Sequence, residues 1–288
     1  MKKITKYSKK IIIFIVISWL LLFIFLPNLI IMIISFTTKD DINFIKFNFN
    51  LNNYKLILDN LYMNIFIYSL YISFITTIIC LIIGYLFSWC LIKISYYYRS
   101  IMLFFLFLPF WVNSLIRIFS LKNFFSVHGY FNKTLIYLKL INHPIHIIYT
   151  SFAIVLGLVY ILLPFMIIPI YYSLEKLDMF CVEAAKDLGA KPWKNFFYII
   201  LPLTLSGIIS GSLLVFLPSM GMFYIADLMG GTKNLLIGNI IKNQFLNIRD
   251  WPLGASLSNI VILITGIFLI LYYKLIQIFN KKEFLKNV

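Results

Sequence analysis

Long apolar runs, separated by shorter polar segments, set the pattern of this chain. A helix needs about 20 residues to cross a hydrocarbon core of about 30 Å, and six runs approach or exceed that length. They cover residues 11–36, 64–92, 101–116, 145–172, 199–224 and 255–279. The pattern predicts an all-α polytopic membrane protein with six transmembrane helices.

Composition supports a membrane protein and excludes an ordinary soluble domain. The chain is 62% hydrophobic and 12% charged, whereas soluble domains carry about 25% charged residues. A formal net charge of +15 could suggest a nucleic-acid partner. The basic residues are instead scattered among spans and loops, so we expect contact with membrane lipid and none with nucleic acid.

Charge also predicts the orientation of the chain. A lysine-rich tail precedes the first run and resembles the start of a signal peptide. That run is longer than a signal-peptide core and no small-residue cleavage site follows it, so we expect it to remain as the first span. More than half of the 25 basic residues fall on one side if both termini and the loop between the fourth and fifth runs are cytoplasmic.

This loop, residues 173–202, is the most highly charged internal stretch and is called the central loop below. Good helix formers precede Gly189, a plausible helix stop, and Pro192 suits the first turn of a second helix. We therefore predict two short helices joined at Gly189. Small side chains leave their backbone open to a docking partner, although a solvated loop with no special role is the simpler alternative.

The central loop resembles the EAA signature of permease subunits of type I ABC importers, the binding-protein-dependent transport permeases. The matching positions are Glu183, Ala184, Ala185, Gly189, Ile199, Leu201 and Pro202. The resemblance implies a tail, a first helix and a first periplasmic loop in residues 1–63, and a transmembrane type-1 domain of five core helices in residues 64–275. A basic cytoplasmic tail would follow at 276–288.

The same resemblance implies a mechanism. The loop would sit in a cleft of a cytoplasmic ATPase, and closure of two ATPases would drive alternating access in the spans. Glu183 would anchor or orient the helix, the alanines and Gly189 would permit close contact, and Leu201 with Pro202 would fix the entry into the fifth span. The small residues that follow predict close helix packing. They are Ser206, Gly207, Ser210, Gly211 and Ser212.

The implied assembly contains other chains in a bacterial inner membrane. It would hold a second permease subunit in a heterodimer, two copies of the ATPase and a periplasmic binding protein. The sequence has no P-loop, catalytic triad or metal-ligand spacing. We therefore expect a translocation subunit that is not an enzyme and binds no cofactor or metal, with ATP and Mg on the partner ATPase.

Three further segments resemble permeases of spermidine/putrescine importers, and they fit the first of the two permease subunits best. They are residues 109–117, 221–231 and 235–252. Polyamines are flexible polycations, and carboxylates and aromatic faces attract ammonium groups.

Candidate pathway residues are Asp227 at the end of the fifth run, the neighbouring Phe223 and Tyr224, and Trp111 in the third run. There is a simpler interpretation of each residue. Asp227 would pair with a lysine at the interface, and Trp111 would be an interfacial or core residue. We expect Arg117 to pair with an acid or a lipid phosphate.

Other functions remain open at this point. The EAA signature is shared by importers of other small solutes, such as amino acids or sulfate. A stand-alone secondary transporter would need internal repeats and acids near the middle of the membrane, and the clear spans lack acids. A membrane-embedded enzyme would need a polar catalytic cluster within the spans, and none is apparent in the sequence.

Overall fold

The structure, a computed structural model, describes residues 2–40, 44–232 and 234–286. Within these ranges the regular elements are helices, apart from an isolated antiparallel bridge between Thr38 and Lys46. The α-helices are α1 Lys2–Leu20, α2 Leu26–Ile34, α3 Asn52–Ile57, α4 Asn60–Lys93, α5 Tyr96–Phe107, α6 Ser114–Phe125, α7 Tyr130–Tyr137, α8 Ser151–Glu175, α9 Met179–Asp187, α10 Pro192–Asn195, α11 Leu201–Leu203, α12 Leu205–Gly221, α13 Phe223–Ile225, α14 Ile237–Leu246 and α15 Trp251–Lys286.

Four helices are long and apolar enough to cross a membrane. They are Lys10–Ile34, Asn60–Lys93, Ser151–Glu175 and Trp251–Lys274. Two bent helix pairs also pass the same test, and they raise the number of spans to as many as 6 if each pair counts as one. The helical class is therefore confirmed, and the number of spans agrees with the six predicted when each bent pair is counted as one span.

The third predicted span, 101–116, is wrong in shape. The helices Tyr96–Trp111 and Ser114–Tyr137 meet at 92°. Pro109 lies in a 3-10 turn, Leu108–Trp111, and the chain is extended at Val112. Because proline lacks a backbone N–H, regular helix stops there, and the Asn113 side chain accepts a hydrogen bond from the Leu115 N–H to start the next helix.

The fifth predicted span, 199–224, is also not one straight helix. The segments Pro192–Leu203 and Leu205–Gly221 differ in direction by 67°. A π-helical turn, Phe196–Ile200, and Pro202 both precede the bend at Thr204. Irregular hydrogen bonding on the wide turn and the missing proline N–H together loosen the backbone at this point.

Contacts divide the chain into two compact units, and the larger comprises residues 64–239 and 270–288. Its core is centred on α8, which is apolar on all sides and contacts α12 along its length. A methyl group at Gly207 would lie 2.6 Å from the Pro169 carbonyl oxygen, and one at Gly211 would lie 2.8 Å from the Met166 sulfur. The predicted close packing of the small residues is thereby confirmed.

The smaller unit comprises residues 1–63 and 240–269. No residue is buried within the most apolar stretch of the span Lys10–Ile34. Past its end, the Asn53 side chain donates to the carbonyl oxygens of Ser35 and Thr37, at 3.1 and 2.9 Å. The ring of Phe44 stacks on Trp251 at the start of α15, with ring centres 5.6 Å apart.

Candidate functional sites

The central loop forms the two short helices that the sequence predicts. Asp178 caps the start of helix α9, and its carboxylate accepts a hydrogen bond from the Phe180 N–H at 3.0 Å. The helix ends at Asp187, and Gly189 stops it from continuing by adopting a φ of +78°. That conformation strains residues with a Cβ atom, and it lets the Ala190 N–H reach back to the Ala185 carbonyl at 3.0 Å. The stop at Gly189 and the start of α10 at Pro192 are confirmed.

The signature residues of α9 lie on an open surface. Glu183 and Ala184 are exposed and Ala185 is half-buried. The Glu183 carboxylate forms no hydrogen bond or ion pair with any other residue that the structure describes. A methyl group at Gly189 would meet no atom within 4 Å. Any partner of this face therefore comes from outside the described chain.

Large apolar side chains are exposed around the same helices. Leu188 is 89% exposed and Phe180 is 79% exposed. Trp193 and Tyr198 are also largely exposed. Clusters of exposed apolar residues on a polar loop are typical of protein contact surfaces.

A buried asparagine, which sequence reasoning missed, joins the two helices of the loop. Asn195 at the end of α10 is 3% exposed, and its side-chain amide donates to the Val182 carbonyl oxygen at 3.0 Å. Val182 is also buried. Asparagine is common in this chain, so no sequence signal distinguishes position 195.

The loop continues directly into the spans. The ring of Phe196, next to Asn195, meets Tyr85 of α4 edge to face, with ring centres 5.5 Å apart. The Tyr85 hydroxyl lies 3.2 Å from that of Thr204, at the bend. Ile199, Leu201 and Pro202 occupy the short stretch between Phe196 and this bend, so contacts link the loop to α4 and to the entry of α12.

The second candidate site is the Asp227 segment, residues 221–232 and 234–239. Phe223 and Tyr224 lie in α13, their rings edge to face with centres 6.3 Å apart, and Asp227 lies in the following π-helical turn. Asp227 is exposed, and it accepts a hydrogen bond of 2.5 Å from the Asn239 side chain. Through the Asn239 amide, the structure thus links the predicted acid to the backbone of Phe223.

Asn239 organises this segment. It is 1% exposed. Its amide nitrogen donates to the Phe223 carbonyl at 3.0 Å as well as to Asp227, and its oxygen accepts from the Leu236 N–H at 3.0 Å. Asn239 lies in a segment that carried the sequence resemblance, but sequence reasoning assigned it no role.

Trp111 and Arg117 lie at the bend of the third span. Trp111 is 77% exposed and meets the ring of Phe104 edge to face. Arg117 is 9% exposed, and its guanidinium carbon lies 5.1 Å from the ring centre of Phe110 and 5.9 Å from that of Tyr160. Among the described residues no carboxylate pairs with Arg117, and aromatic faces stabilise this cation. The expected contact with a lipid phosphate stays a prediction.

Comparison with known proteins assigns a class to this arrangement. Residues 52–283 match the family described as binding-protein-dependent transport system inner membrane component. The chain therefore belongs to this family of multi-pass inner membrane permease components.

Two relatives are similar over nearly the full length. The spermidine/putrescine transport system permease protein PotB of Salmonella typhimurium strain SL1344 is 51% identical over 282 residues, or 98% of each chain. That of Escherichia coli strain K12 is 52% identical over 267 residues, covering 93% of this chain and 97% of the relative.

A solved structure confirms the fold. The chain resembles a chain of a bacterial alginate ABC transporter crystallised with an alginate-bound periplasmic protein, with a TM-score of 0.76 and 14% identity over 94% of both chains. At this identity the likeness concerns the fold alone. It agrees with the predicted type I importer architecture.

Proposed function

We propose that this chain is the channel-forming permease subunit of an ATP-driven, binding-protein-dependent importer that moves polyamines, putrescine or spermidine, across the inner membrane by alternating access. The supporting observation is identity of about half over nearly the whole length of relatives named for spermidine/putrescine transport. An importer of another small solute sharing the EAA signature is the competing function. The five-helix core, residues 64–275, would carry the substrate.

The assembly we propose contains a second permease subunit, two copies of a cytoplasmic ATPase and a periplasmic polyamine-binding protein. The exposed residues of the central loop support an ATPase contact, because Leu188 and Phe180 offer apolar surface beside the uncovered face of Glu183. ATP and Mg would bind the ATPase. Both termini and the central loop would then lie in the cytoplasm, in agreement with the lysine-rich start of the chain.

The Asp227 segment would contribute to the substrate pathway. An exposed carboxylate in the same short segment as the rings of Phe223 and Tyr224 suits an ammonium group, which both kinds of group attract. Asn239 would keep the carboxylate and the Phe223 backbone in a fixed relation. Trp111, exposed at another bend, remains a further pathway candidate.

The test of cargo is uptake by the complete assembly in proteoliposomes. We expect ATP-dependent uptake of labelled putrescine or spermidine, reduced by an excess of either unlabelled polyamine and unaffected by sulfate or amino acids. Competition by one of those other solutes, without competition by polyamines, would contradict the polyamine assignment. Uptake by this chain without the ATPase would instead support a stand-alone secondary transporter.

Asp227→Asn tests the pathway separately. The amide oxygen of the new side chain still accepts the Asn239 hydrogen bond, so the variant removes charge with little change of shape. We expect polyamine uptake to fall about ten-fold, the size of a lost charge-assisted contact, while ATPase binding is retained. Asp59→Asn, another exposed acid, is the matched control. Unchanged uptake by Asp227→Asn would assign this residue to an interfacial role only.

A further inference from the structure

Helix α9, the part of the central loop that carries the EAA residues, has little contact with the rest of its own chain. Among residues 180–187 the only buried side chain is that of Val182. The helix has 9 residues, and a helix of this length is marginal unless other contacts support it. Its orientation therefore depends on the few contacts made at Val182.

Asn195 makes the polar contact at this place. Its amide nitrogen donates to the Val182 carbonyl at 3.0 Å, across 13 residues of sequence. Neighbouring Phe196 packs on Tyr85, and the Tyr85 hydroxyl bonds to that of Thr204 at the bend before α12. Asn195 thus lies where the exposed helix and the start of the fifth span come together.

The side-chain oxygen of Asn195 is buried and has no hydrogen-bond partner among the described residues. A buried amide that is only partly satisfied offsets much of what its one hydrogen bond contributes. Net stability therefore does not explain an asparagine here. The direction of the hydrogen bond explains the asparagine, because an apolar side chain of similar volume would fill the space without fixing the angle between α9 and α10.

We propose that Asn195 is a positioning residue that locks the ATPase-contacting helix α9 to the entry of the fifth span. Because of this hydrogen bond, a movement of α9 is transmitted to Phe196, Tyr85 and the bend at Thr204. Without it, α9 still binds the ATPase but turns about Val182, and the movement is partly lost. This inference rests on the proposed function of the chain as an ABC importer permease.

The test uses the complete assembly in proteoliposomes and measures polyamine imported per ATP hydrolysed. For Asn195→Leu we expect normal assembly and continued ATP hydrolysis, with this ratio reduced about five-fold, the effect of losing one hydrogen bond of ordinary net strength. Asn195→Gln retains an amide donor and should stay closer to the wild-type ratio. Asn247→Leu removes an exposed asparagine amide bond and should leave the ratio unchanged.

A wild-type ratio for Asn195→Leu would overturn the proposal, as would a parallel loss of ATP hydrolysis and uptake in both Asn195 variants. If Asn195→Leu does not assemble, Asn195→Ser replaces it, because its shorter side chain keeps a polar group but falls short of Val182. A wild-type ratio for Asn195→Ser would equally overturn the proposal.

Hydrogen exchange separates this inference from the cargo assignment. In the membrane-embedded assembly, Asn195→Leu should speed amide exchange across residues 179–187, whatever solute is carried. If wild-type assemblies import no polyamine, the proposed function fails while this measurement still decides the lock. Unchanged exchange rates together with efficient polyamine import would reject the lock alone.

Discussion

The central loop and the Asp227 segment each depend on one buried asparagine, but the two asparagines are used differently. Asn239 makes three hydrogen bonds, to Phe223, Asp227 and Leu236. Asn195 makes one, to Val182, and its oxygen is unpaired. A fully satisfied polar group constrains more of its surroundings than a group with one hydrogen bond, which constrains a single direction. Asn239 therefore ties three points of the Asp227 segment together, whereas Asn195 holds α9 of the central loop at the single point that we propose as its lock.

The largest expected effect comes from Asn239→Leu. The change leaves the Leu236 N–H and the Phe223 carbonyl without their partner, and each unsatisfied buried group is costly. We expect a loss of about 3 kcal/mol in the free energy of unfolding and loss of polyamine uptake, measured by denaturation of the purified chain and by transport. Asn243→Leu, at a half-buried position of the same helix, is the control. If Asn239→Leu lost no more unfolding free energy than the control, Asn239 would not hold its segment more strongly than Asn195 holds the central loop.

Substitutions at two glycines, one in each region, test the same contrast while leaving both asparagines in place. Gly231 in the Asp227 segment and Gly189 in the central loop both have positive φ, at 67° and 78°. A methyl group at Gly231 would lie 3.0 Å from the ring of Tyr149, whereas one at Gly189 meets nothing within 4 Å.

Alanine at Gly231 should therefore cost about 2 kcal/mol of unfolding free energy and alanine at Gly189 about 1 kcal/mol, the latter from backbone strain alone. Thermal unfolding of the two variants side by side measures the difference. Equal losses would show that the surroundings of Gly231 adjust as easily as the open loop does. Gly189→Asn, which tolerates positive φ, should recover part of the loss.

The smallest effect on the folded chain is expected for Glu183→Gln. Glu183 is exposed and pairs with no other described residue, so the free energy of unfolding should change by less than about 0.5 kcal/mol. ATP-coupled uptake should nevertheless fall, because we assign the Glu183 carboxylate to the ATPase contact. Normal uptake by a normally inserted variant would withdraw that assignment.

The sequence predicts the fold well where length and backbone chemistry decide it. Apolar runs predict the spans, and Gly189 with Pro192 predicts the two helices of the loop, because these signals act locally. The bends at Val112 and Thr204 were missed even though Pro109 and Pro202 lie close to them, since proline in a span permits a bend without specifying one. Asn195 and Asn239 were missed because their partners Val182, Phe223 and Asp227 lie 12 to 16 residues away along the chain.

The glycine contacts of α12 determine which parts of the larger unit can move. Gly207 brings α12 so close to α8 that a methyl group there would lie 2.6 Å from the Pro169 carbonyl oxygen, and Gly211 packs against Met166 one turn further on. We expect the pair to travel as one rigid body during transport. Backbone rotation would then take place at Thr204 and Met222, which flank α12 and already have non-helical backbone angles.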